Sequence, residues 1–84
     1  LMTRDVSIYI PRERDDVDKL KYNLKNVLEN HNGRCPVYII EPGANNSTTR
    51  VEVSPSLYVT PDFELFEEIQ NLFGENCLSI TNTG

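Results

Sequence analysis

The sequence predicts an α+β fold with the element order β-α-β-β-α-β, a small sheet carrying two helices on one face. Two observations carry this. Apolar residues recur at helical spacing twice, over residues 17–28 and 65–73, and each run stops at a glycine. Around them lie four short extended runs rich in Val, Ile and Tyr, bounded by Pro, Gly, Asn and Ser. Right-handed crossovers in two βαβ units make a ferredoxin-like split βαβ the leading topology. An incomplete mixed sheet in another strand order is the alternative.

Val6-Ser7-Ile8-Tyr9-Ile10 alternates weakly and ends at Pro11, which cannot donate to a ladder, so it reads as the first strand. Arg12-Glu13-Arg14 is a charged connector. Val17, Leu20, Leu24, Val27 and Leu28 then form one stripe of a helix, with Lys19, Lys21, Asn23, Lys25 and Asn26 on its other face. Asp15 or Asp16 is placed to cap its first amides, and Asp18 adds negative charge where the helix dipole favours it. Asn32-Gly33 ends the helix, and Gly33 is expected to supply a left-handed turn.

Residues 34–41 read as a strand buried on both faces through residues 37–40, with Pro36 near its start. Residues 42–47 have the composition of a hairpin loop. Thr49-Arg50-Val51-Glu52-Val53 alternates cleanly, which turns Arg50 and Glu52 to water. Ser54-Pro55-Ser56 is expected to kink that strand before Leu57-Tyr58-Val59 continues in extended form. Thr60-Pro61-Asp62 reads as a helix start, with a hydroxyl cap, a proline at the first position and an acid in the first turn. Leu65, Phe66, Ile69, Leu72 and Phe73 carry the second helix and Gly74 stops it. Cys77-Leu78-Ser79-Ile80 is a last short strand, and residues 81–84 are expected to fray.

With 84 residues, 38% hydrophobic and 25% charged, the composition suits one domain with a modest core. The longest uncharged apolar stretch, residues 35–40, falls far short of the ~20 residues that cross a bilayer. Arg4-Asp5 interrupts any leader-like run, so neither a membrane span nor secretion is expected. A strand beginning as early as Val6, behind Leu1-Met2-Thr3, reads as a piece of something longer. Cys35 and Cys77 both lie in apolar runs and are expected to be buried thiols in a reducing compartment rather than a disulfide.

Charge divides the chain. Residues 1–50 hold eight Lys or Arg and seven Asp or Glu; residues 51–84 hold six acids and no Lys or Arg. An acidic third of net −6 would repel a phosphate backbone, which excludes direct nucleic-acid binding through it. A basic protein surface could be steered towards it.

Chemistry is hard to find. His31 has no His or Cys at ligand spacing and sits where an imidazole suits a helix dipole. No glycine-rich loop cradles a phosphate, and no elbow frames a serine nucleophile. Asp15-Asp16-x-Asp18 lacks the glycine and distal glutamate of a calcium loop and reads as a capping cluster. Glu64 and Glu68 share a helix face, but a solvated face does not separate carboxylate pKa values as acid–base chemistry requires. Tyr9, Tyr38 and Tyr58 could lie on strands, yet the run Arg50-Val51-Glu52-Val53 has no aromatic for base stacking. No cofactor, metal or catalytic residue is expected in this chain.

One ordered series of motifs carries a resemblance. Gly33-x-Cys35-Pro36-Val37-Tyr38-Ile39 is followed by Arg50-Val51-Glu52-Val53, then Tyr58-Val59-Thr60-Pro61-x-x-x-Leu65, then Leu72-Phe73-Gly74 and Cys77-Leu78-Ser79-Ile80. This series resembles the extreme C-terminal region of the bacterial DNA polymerase III α subunit, over essentially the whole chain. The Asn-rich loop at residues 42–48 and the tail after Ile80 depart from it. The resemblance implies a non-catalytic module of a DNA-directed DNA polymerase, a nucleotidyltransferase of the cytoplasmic replisome. The catalytic carboxylates and magnesium ions would lie elsewhere in the parent chain. It also implies a partner, the τ subunit of the clamp loader, with the piece itself a monomer.

Interfaces concentrate energy in aromatic and apolar anchors within a polar rim. Leu57 and Tyr58 follow the kink, where at least one should be exposed. Phe63, Phe66 and Phe73 cover too much of the helix circumference to share the core with Leu65, Ile69 and Leu72. These five are the expected anchors, and Glu64, Glu67 and Glu68 the rim. The plain alternative is that Phe63 and Phe66 seal a core edge. Two other readings compete: a ferredoxin-like domain sensing a small molecule, and a structural cap without a partner. The first would need a glycine-bearing loop where this chain has Pro11-Arg12-Glu13-Arg14.

Overall fold

The computed structural model describes residues 2–12 and 14–83, excepting the side chains of Met2 and Thr83; Glu13 of the charged connector and Gly84 of the tail lie outside them. The elements are β1 (Met2–Tyr9), α1 (Val17–Asn30), β2 (Asn32–Cys35), β3 (Val37–Pro42), β4 (Thr48–Glu52), α2 (Phe63–Phe73) and β5 (Leu78–Thr83). Short 3-10 turns occupy Ala44–Asn46, Pro55–Leu57 and Glu75–Cys77. The α+β class holds, with a four-stranded mixed sheet in the order β4-β3-β1-β5.

That order is not the split βαβ. β1 and β3 are direct parallel neighbours, from Val6 opposite Val37 to Tyr9 opposite Ile40. β5 runs antiparallel along the other side of β1, and β4 returns antiparallel on the outside of β3. The incomplete mixed sheet is the arrangement formed. β1 takes the centre because its alternate residues Val6 and Ile8 are fully buried, which needs a neighbour on each side. Its other row, Asp5 and Ser7, is also buried between flanking strands.

One cluster unites the sheet and both helices: Val6, Ile8, Val37 and Val59 with Leu20, Leu24 and Leu28 of α1 and Leu65, Ile69 and Phe73 of α2. The helical stripes are therefore the core stripes, as their spacing predicts. Only one sheet face is covered. Val37 is buried but Tyr38, Ile39 and Ile40 are half-buried, so the stretch expected to be enclosed on both faces has an open side. β4 is exposed throughout despite its alternation, Val51 at 48%, because the helices do not reach over this edge.

Several local readings change with packing. The run at residues 34–41 breaks at Pro36, whose carbonyl accepts from Val6 N at 3.0 Å. The segment before it, β2, bridges Val59 instead of joining the sheet. α1 ends at His31, whose N–H donates to the Leu28 carbonyl, and Gly33 has no positive φ. Gly33 is required for another reason: a Cβ there would lie 2.4 Å from Thr60 Oγ1 and 2.5 Å from both Thr60 N and the Val59 carbonyl carbon. Residues 58–60 are pressed against it, with Gly33 N donating to Tyr58 O at 2.8 Å and Thr60 N to His31 O at 2.7 Å.

The caps change too. Asp16 occupies the N-cap of α1 but makes no cap bond, since both its oxygens accept from Arg14 at 3.0 Å. The Arg14 guanidinium holds its carboxyl below the usual range. In α2 the cap is Asp62, accepting from Leu65 N at 2.9 Å, while the Thr60 hydroxyl donates to Asn32 O. Gly74 does end α2, at φ 102°. Residues 81–83 do not fray; they extend the ladder against residues 2–5, with a bulge between Thr3 and Asp5.

Candidate functional site

Because Asp62 caps α2, the helix begins at Phe63, and the core stripe Leu65, Ile69, Phe73 sets its rotation. Phe63 then falls outside that stripe and is 89% exposed. A single exposed ring is ordinary on a protein surface; this one is informative because it adjoins other partly exposed apolar side chains, Phe66, Leu78 and Ile80. Phe66, one position past the stripe, is half-buried against the core margin.

Beside them β5 is an outer strand of the sheet. Leu78 and Ile80 pair with Ile8 and Val6, so they share the helix-bearing side of the sheet. α2 does not close over them: Ile80 remains 37% exposed. The result is a groove of about 340 Å³ between α2 and β5, lined by Phe63, Phe66, Leu78 and Ile80 with Glu67 and Gln70 along its wall. Glu64 is exposed next to it, sharing a shallow acidic patch with Glu67, Glu68 and Asn71.

The expected anchors divide accordingly. Phe63, Phe66 and Glu67 meet in the groove, with Glu64 beside it. Phe73 is 6% exposed and belongs to the core, so it leaves the surface set. Leu57 and Tyr58 are both half-buried and pack against the core away from the groove; neither is the exposed anchor expected after the kink. Glu68 is engaged by His31, whose Nε2 hydrogen-bonds its carboxylate while Nδ1 lies 3.7 Å from Asp62. His31 thus ties the end of α1 to the first turns of α2. Leu78 and Ile80 are the residues that sequence reasoning omits. Their alternation is legible, but nothing local says that their strand is an edge.

The open sheet face holds a second cluster. Arg50 lies 3.8 Å above the Tyr38 ring, and the Tyr58 hydroxyl donates to Glu52. That bond, then desolvation, push the Tyr58 phenol up; desolvation and then the Glu52 charge do the same to Tyr38. Tyr9 is exposed on the same face. Two of the three tyrosines are therefore engaged by neighbours, and the exposed Glu52 and the buried Asp5 add negative charge among them.

Cys35 and Cys77 are free and buried, and burial pushes both thiols up, away from the thiolate a nucleophile needs. Another hollow, about 450 Å³, is lined by Thr3, Arg4, Arg34, Cys35, Val59 and Thr60 together with two prolines. It brings together no acid and base. Among the described residues no group of three or more His, Cys, Asp or Glu could hold a metal ion, and no helix is long and apolar enough to cross a membrane. Comparison with protein-family models, curated proteins and solved structures found no match for this chain.

Proposed function

We propose that this chain is a non-catalytic docking module, the C-terminal domain of a bacterial replicative DNA polymerase α subunit. It ties the polymerase to the τ subunit of the clamp loader in the cytoplasm. The observation that carries the docking role is the exposed Phe63 standing over the apolar groove of Phe66, Leu78 and Ile80, with Glu64 and Glu67 as an acidic rim. An aromatic anchor beside a concave apolar strip, edged by charge, is the composition of an interface. The identity of the partner rests on the motif series from Gly33 to Ile80. The competing sensor reading depends on a split βαβ, and the adjacency of β1 and β3 takes that support away.

Calorimetric titration of the chain with the C-terminal domain of the cognate τ subunit tests this. One-to-one binding that weakens with salt is expected. Phe63→Ala should weaken it by at least about tenfold, as anchor truncations do. The same change should move stability by no more than about 0.5 kcal/mol, because the ring is outside the core. Absence of binding by a chain shown to be folded refutes the reading.

A further inference from the structure

We infer that the groove takes an extended segment of its partner, added as a fifth strand to the free edge of β5, with apolar side chains at alternate positions and lysine or arginine flanking them. This deepens the docking reading and rests on it for the groove, but not for the identity of the partner.

The two edges of the sheet are protected very differently. β4 (TTRVE) carries Arg50 and Glu52, charges of the kind that discourage a further strand. β5 (LSITNT) has no charge and no proline in its length, and its residues are largely β-branched or small. Among the described residues it pairs with β1 alone, so one side of its backbone offers N–H and C=O groups without a strand partner. Proteins normally blunt such an edge, and one left open beside a groove is suited to β-augmentation.

The groove fits this mode. A strand laid roughly 4.8 Å beyond β5 directs every second side chain to the helix-bearing side, where Leu78, Ile80, Phe66 and Phe63 stand. The intervening side chains go to the open face, next to Ser79 and Thr81. Charge selects the occupant. Glu64 and Glu67 flank the apolar strip, and residues 51–84 contain six acids and no Lys or Arg. A second copy would bring the same acids to the same place, whereas a basic strand would neutralise them.

The test uses the 84-residue chain and two synthetic peptides, one with valine at alternate positions flanked by lysines, the other with those lysines replaced by glutamate. Amide hydrogen exchange is followed with each. The lysine peptide should protect alternate β5 amides, and binding should fall at least about tenfold in Ile80→Lys, which puts a cation at the centre of the strip. Glu67→Lys, on an exposed position, should weaken the lysine peptide and strengthen its glutamate counterpart.

No protection of β5, or protection confined to α2, overturns strand addition whatever τ does. Dimerisation of the chain alone through β5 would overturn it as well, by naming a second copy as the occupant. Protection of β5 by the lysine peptide with no binding of τ would uphold the edge and refute the polymerase assignment.

Discussion

Gly33→Ala is the substitution that tests the packing of this protein most sharply. The new methyl would sit 2.4–2.5 Å from Thr60 Oγ1, Thr60 N and the Val59 carbonyl carbon, where an ordinary contact needs 3.4 Å or more. Two of these three atoms are backbone, so no rotamer change relieves them. The strap at residues 58–60 must withdraw, stretching Gly33 N to Tyr58 O, Thr60 N to His31 O and Thr60 Oγ1 to Asn32 O. Overpacking costs about 1–3 kcal/mol; the three bonds, each worth about 0.5–1.5 kcal/mol intact, are stretched and not broken, and together add about 1 kcal/mol. A loss of about 2–4 kcal/mol is expected overall, which for a domain of this size lowers Tm by roughly 10–25 °C. Thermal unfolding followed by circular dichroism measures it. Thr60→Ala in the same background should recover less than about 1 kcal/mol, since it removes only the side-chain contact. A Tm within a few degrees of the parent, or full rescue by Thr60→Ala, would refute a backbone-on-backbone contact.

Other outcomes follow from the same geometry. Gly74→Ala, where φ is 102° and nothing lies within 4 Å of a new Cβ, should cost about 1–3 kcal/mol of backbone strain alone; urea unfolding checks this. Asp62→Ala should cost about 1 kcal/mol through the lost cap, and Asp62→Asn much less, because the amide oxygen can still accept from Leu65 N. If Asn is as damaging as Ala, the charge opposite His31 matters more than the cap. The Tyr38 and Tyr58 phenols are raised in the folded state, so their contribution to stability is present below about pH 10 and lost as pH rises through their folded values. Glu52→Gln should bring the Tyr58 step down, seen as earlier tyrosinate absorbance in a pH titration; superimposable curves would exclude the Glu52 contact.

The order of the four sheet strands and two helices, the stripes of both helices and the stop at Gly74 are readable in the chain, because helical and strand periods are local properties of a few successive residues; the separate β2 is not. The same spacing assigns Leu20, Leu24, Leu28, Leu65 and Ile69 to the core, where they lie. It also signals that α2 has more large apolar residues than one stripe can bury, and Phe63 is the one left outside.

What periodicity cannot carry is neighbourhood. That β1 lies between β3 and β5, that Gly33 touches Val59 and Thr60, and that the Thr60 hydroxyl goes to Asn32 instead of the start of α2 each depend on residues far apart in sequence. The groove is of this kind. Phe63 and Phe66 belong to one helix and Leu78 and Ile80 to a strand, and only a sheet ending at β5 leaves them facing the same open space. Local propensities selected the pieces of this fold, and long-range packing chose which of their surfaces stayed free for a partner.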